Sequence, residues 1–150
     1  CQFRSIAYEL FGSAKHHPYV RAKAVEFMRK NPAEFSIYFE SQNEFQAFCA
    51  KMGTLRTWGD ELTLKAAAEA FLATIHVLTS TEGMGGFYLE YVPEKLAAQQ
   101  NHRFSHPQAR HAFLTYLSPI HYNVMTLKED RMRKKTSEQG RQALVQMMDQ

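Results

Sequence analysis

Cys1 stands directly ahead of a helical pattern, with apolar residues at Phe3, Ile6, Ala7 and Leu10. A helix start presents unpaired N–H groups and about half a positive charge. A thiol placed there is expected to have a stabilised thiolate and a lowered pKa, and the thiolate is the nucleophile. Such a nucleophile needs a base. Of seven histidines, His121 stands out, in SPIHYNVM. If residues 120–125 form a strand, His121 and Asn123 project from one face while Tyr122 and Val124 point the other way. The Asn123 oxygen could then accept from one imidazole nitrogen and leave the other for the thiol, a Cys-His-Asn division of labour. Taken singly, a cysteine at a helix start is more often a small buried hydrophobe, and a strand histidine a satisfied core residue.

The elements that must hold these groups are partly readable. Gly12 and Ser13 end the first helix. A second helix is predicted from about Pro18, with a stripe of Val20, Ala24, Phe27 and Met28, broken at Asn31-Pro32. Phe35, Tyr38 and Phe39 continue in helical spacing. Phe45, Phe48, Cys49 and Met52 form another helical face closed by Gly53, which places Cys49 in the core. Asp60 is a good N-cap for an Ala-rich helix, with Glu61 in its first turn. The period then changes. Thr74–Thr79 and Phe87–Val92 read as strands around a turn at Glu82–Gly86, and Ala112–Leu117 and Ile120–Met125 as two more around Ser118-Pro119. Helices first and strands after argue for an α+β domain with a small, mostly antiparallel sheet.

Bulk properties narrow the function. The chain has 150 residues, 45% hydrophobic and 13% aromatic, which suits one globular domain. A net charge of +3 is too small to imply a nucleic-acid surface. Arg131, Arg133, Lys134 and Lys135 are diluted by Glu129, Asp130 and Glu138 and read as a solvated tail. His102, His106 and His111 lack an acidic or cysteine companion, and Pro107 interrupts any shared helix, so a zinc site is not expected. Gly83-Met84-Gly85-Gly86 lacks the Gly-Lys-Ser/Thr ending of a phosphate loop. Two distant cysteines make no disulfide framework, and no apolar run reaches membrane-spanning length. An intracellular setting, cytoplasmic or nuclear, is expected. With no Met at position 1, the chain is expected to be trimmed, with the domain beginning upstream.

CQFRSIAYELFG resembles the cysteine motif of the OTU (ovarian tumour) family of cysteine peptidases. TWGDELTLKAAAEAF resembles the family's Trp-Gly-Asp segment and following helix, and HYNVM its His-Tyr-x motif. Three motifs in family order are a far stronger signal than any one alone. The resemblance implies a papain-like α+β fold over residues 1–127, followed by a charged tail or short helices over 128–150. It implies hydrolysis of the isopeptide bond at the C-terminal glycine of ubiquitin, with Cys1 as nucleophile, His121 as base and Asn123 as orienter. It further implies ubiquitin or polyubiquitin as partner and neither metal nor organic cofactor. By the same analogy the 93–110 segment is expected to touch ubiquitin, and Trp58 to be packed near the cleft. The family's Asp-Gly-Asn, which shapes the oxyanion hole, would precede position 1. The rival expectation is an OTU-like module that binds ubiquitin with impaired catalysis.

Overall fold

The computed structural model describes residues 1–83, 86–97, 110–117 and 121–125. Helix α1, Gln2–Phe11, buries Phe3, Ile6, Ala7 and Leu10, the stripe its spacing predicts. Gly12 ends it in the left-handed region at φ 71°, where its N–H bonds to the Tyr8 carbonyl; glycine reaches that conformation without a Cβ clash. A short 3-10 turn leads into α2, His17–Lys30, with Pro18 in its first turn. Its inner face is Val20, Ala24, Val25 and Met28. Phe27, expected there, is only partly buried and instead meets the Phe35 ring edge-on. Helix α3, Pro32–Phe35, restarts at Pro32, and α4, Gln42–Gly53, is capped by the Ser41 hydroxyl.

Helix α5, Glu61–Phe71, has the Asp60 cap expected of it, in a reciprocal form. The Asp60 carboxylate accepts the Thr63 N–H, and the Thr63 hydroxyl accepts the Asp60 N–H. Two orphan donors of the first turn are thereby satisfied. Ala66, Ala67 and Ala68 are all buried. Their small side chains let α5 pack against α2 and β1 at once.

The strands are β1, Ala73–Gly83; β2, Gly86–Tyr91; β3, Arg110–Leu117; and β4, His121–Val124. A short helix α6, Glu94–Ala97, follows β2. The sheet order is β2-β1-β3-β4. The β1–β2 and β3–β4 pairs are antiparallel, but β1 and β3 run parallel, with Ile75 opposite Ala112 and Val77 opposite Leu114. The sheet is therefore mixed. The parallel pair joins strands remote in sequence, and no hairpin signal announces it. The predicted turn at Ser118-Pro119 and the tail 128–150 lie outside the described residues, as do His102 and His106. Among the described residues, no helix is long and apolar enough to cross a membrane.

Candidate active site

Cys1 is the N-cap of α1 and is exposed. Two guanidinium groups, Arg4 and Arg21, lie close enough to act electrostatically on this position. Arg21 is fixed there by its partners. Its Nη1 donates to the Met52 carbonyl at 2.7 Å and its Nη2 to the Thr57 carbonyl at 2.6 Å, and the guanidinium lies 4.2 Å from the Phe3 ring centroid. Arg21 thus ties the segment leading into Trp58-Gly59-Asp60 to the start of α1. Trp58 itself is not packed, as expected from sequence, but 67% exposed. The segment's backbone is what the neighbours hold, and the indole is left outside it.

Gln2, next to Cys1, is only 2% exposed. Its Oε1 accepts the Thr63 hydroxyl at 2.6 Å, and its Nε2 donates to the Asp60 carbonyl at 2.9 Å. Gly59 runs so close that a Cβ there would overlap the Gln2 amide. Across from these groups, Tyr122 of β4 stacks on Tyr116, ring centroids 4.4 Å apart. Burial pushes the Tyr122 phenol up to about 12, opposed by hydrogen bonding from Gln2. The phenol therefore stays protonated at any physiological pH.

Gln2 and Tyr122 are the chain neighbours of Cys1 and His121, and α1 packs against β4. His121 and Asn123 are both exposed and share one face of β4, as their spacing predicts. No hydrogen bond joins Cys1, His121 and Asn123; the Asn123 Oδ1 accepts the Val124 N–H at 3.3 Å. Cys49 is fully buried, and burial pushes its thiol up, away from reactivity.

Beside this region lies a cleft of about 440 Å³, lined in part by Asp60, Glu61, Glu82, Tyr91, Tyr116 and Tyr122. Burial raises Tyr91 to about 12, and the Glu61 charge adds to it. The cleft thus combines carboxylates with neutral phenols, a lining that suits a cationic, extended chain. The candidate 93–110 segment is described only at its ends, where Pro93 is buried and α6 begins at Glu94.

A second histidine cluster went unrecognised in the sequence. His76 of β1 bonds through Nε2 to His111 Nδ1 at 2.8 Å and through Nδ1 to the Tyr88 hydroxyl. Its ring stacks on Phe113, centroids 4.6 Å apart. Burial first, and His111 second, lower His76 to about 4, so it is neutral at pH 7. Among the described residues, no group of three or more His, Cys, Asp or Glu could hold a metal. The missed signals differ in kind. Gln2 lies inside the cysteine motif, but nothing in its type marks it as buried. The His76–His111 contact depends on the parallel β1–β3 register.

The family model for OTU-like cysteine proteases matches residues 1–122. Ovarian tumour domain-containing deubiquitinating enzyme 10 of Arabidopsis thaliana is 32% identical over 130 residues, 87% of this chain and 33% of that protein. The chain spans about a third to a half of the plant relatives it matches. Among solved structures, the OTU domain of OTUD1 superposes with a TM-score of 0.63 at 18% identity, covering 83% of this chain and 77% of that one. OTUB1, in a complex with ubiquitin aldehyde and UBCH5B~Ub, gives 0.56 at 17% identity, covering 79% and 43%. With the matched segment running from the exposed Cys1 to Tyr122 of β4, the chain belongs to the OTU-like cysteine protease family.

Proposed function

We propose that this chain is the catalytic domain of a cysteine-type deubiquitinase that hydrolyses the isopeptide bond at the C-terminal glycine of ubiquitin. The observation that carries this reading is the packing of α1 against β4, which brings the helix headed by the exposed Cys1 against the strand bearing His121 and Asn123. In the proposed cycle, His121 takes the Cys1 proton and the thiolate attacks the glycine carbonyl carbon. The tetrahedral intermediate collapses, the C–N bond breaks, and His121 returns the proton to the departing lysine amine. Water, activated by His121, then hydrolyses the thioester and frees Cys1. Asn123 orients the imidazole by turning its Oδ1 from the Val124 N–H toward a ring nitrogen.

Support for ubiquitin as partner comes from the relatives' names, from the OTUB1 complex that contains ubiquitin aldehyde, and from the acidic, tyrosine-lined cleft. The catalytic unit is taken as residues 1–127, with 128–150 as an appended tail. Two free thiols, one exposed, suit a reducing compartment such as cytoplasm or nucleus. The test is to expose the intact natural protein to ubiquitin bearing a C-terminal electrophile and map the adduct by mass spectrometry. Cys1 alone should be labelled. Ubiquitin binding with no adduct would identify a binding module instead, and labelling confined to Cys49 would overturn the assignment.

A further inference from the structure

Glu9 lies late in α1 and is only 5% exposed. A buried carboxylate is costly unless its oxygens are met. Its Oε2 accepts the N–H of Phe113 on β3 at 3.1 Å. The place of that bond is informative. β3 and β4 pair from Leu117 opposite His121 to Leu114 opposite Val124, and the next pair in that register is Phe113 with Met125. The Met125 N–H donates to the Phe113 carbonyl at 3.0 Å, one of the two bonds that such an antiparallel pair exchanges. In a regular ladder the second would run from the Phe113 N–H to the Met125 carbonyl. Glu9 takes that N–H, so a side chain of α1 completes the last rung of the β3–β4 ladder.

The bond ties the two elements of the proposed site at one point. From Glu9 back to Cys1 the helix runs roughly 12 Å. From Met125 back to His121, β4 runs roughly 14 Å. Along this length α1 packs against both β3 and β4. Phe3, Ile6, Ala7 and Leu10 hold α1 in the core, but apolar burial is non-directional and opposes small tilts of a helix only weakly. Hydrogen bonds are directional. Gln2 refers the head of α1 to Asp60 and Thr63 at the start of α5, and Glu9 refers the helix to the sheet. On an arm of roughly 12 Å a tilt of about 5° moves the far end by about 1 Å. Reacting groups misplaced by about 1 Å can lose roughly a hundredfold in rate.

We infer that Glu9 is a positioning residue: by completing the β3–β4 ladder it sets the tilt of the helix headed by Cys1 against the strand bearing His121. The inference rests on the reading that Cys1 and His121 act as a pair. Glu9 is two helical turns from Cys1, so its loss should appear in kcat and in the thiol–imidazole coupling, with KM little changed.

The experiment uses the intact natural protein with Glu9→Met, which keeps the length of the side chain and removes the carboxylate, and Glu9→Gln, which keeps an acceptor oxygen. Folding is checked by thermal unfolding. Two quantities are measured: turnover of a ubiquitin C-terminal fluorogenic amide, and the rate of Cys1 alkylation by iodoacetamide against pH. Glu9→Met should lower kcat about 10–100-fold with KM within about twofold. Its alkylation profile should move toward that of an uncoupled thiol, near about pH 8.5. Glu9→Gln should keep kcat within about threefold and hold the parent's alkylation profile. A folded Glu9→Met with unchanged kcat and an unchanged profile would overturn the inference, and so would a Glu9→Gln that falls as far as Glu9→Met. If Glu9→Met fails to fold, Glu9→Asp, one methylene shorter, decides by the same two measurements. Should the parent protein leave ubiquitin substrates intact while Glu9→Met still shifts the alkylation profile, the deubiquitinase reading falls and the positioning role stands.

Discussion

One face of the sheet carries two imidazole sites with opposite fates. His111, Phe113, Thr115 and Leu117 alternate along that face of β3; His76 lies opposite Phe113, and Asn123 and His121 lie opposite Thr115 and Leu117. At one end His76 and His111 are buried, bonded to each other and stacked on Phe113. At the other end His121 and Asn123 are exposed on a four-residue edge strand. The chemistry of the residue type is the same in both places. Burial keeps His76 neutral at pH 7 within the fold, and exposure leaves His121 and Asn123 open to solvent.

The contrast is broken most severely at His121. His121→Ala should reduce ubiquitin cleavage by about 10²–10⁴-fold with thermal stability nearly unchanged, because an exposed side chain contributes little packing. Single-turnover kinetics alongside a melting curve check this. Near-normal cleavage would place the base elsewhere.

His76 should behave in the reverse way. Its folded pKa of about 4 lies below its ordinary 6.5, so the unfolded chain takes up a proton first as pH falls. The native state is therefore fully favoured above about pH 6.5 and loses about 2–3 kcal/mol as pH drops toward 4. Urea titrations at pH 7 and pH 4.5 should show that loss in the parent protein and a smaller one in His76→Gln. The substitution should leave neutral-pH turnover within about threefold. A parent protein with the same stability at both pH values would show that His76 does not titrate as described.

The smallest effect is expected at Asn123. An orienting amide fixes the angle and tautomer of the imidazole but transfers no proton. Asn123→Ala should slow cleavage about tenfold, well short of His121→Ala. Equal losses at the two positions would make the amide as essential as the base.

What could be read ahead of the fold follows the range of the interaction. The α1 stripe, its Gly12 stop, the Asp60 cap and the shared face of His121 and Asn123 all depend on residues a few positions apart, and each appears where its spacing puts it. The Gln2 network, the Arg21 ties and the His76–His111 pair span 31 to 61 positions, and no local period encodes them. Trp58 illustrates a related gap. Its size argues for burial, but Arg21 and Gln2 secure the backbone on either side of it and leave the indole at 67% exposure.

The Glu9 carboxylate accepts the N–H of Phe113, 104 positions along the chain. On a ribosome the first helix is finished long before that amide exists. At roughly 5–20 residues per second, about 5–20 s separate the two events. During that interval α1, with the exposed Cys1 thiol at its head, has neither β3 nor β4 to pack against. The proposed site is completed only when β4 leaves the exit tunnel, so a nascent chain would carry Cys1 for some seconds without His121.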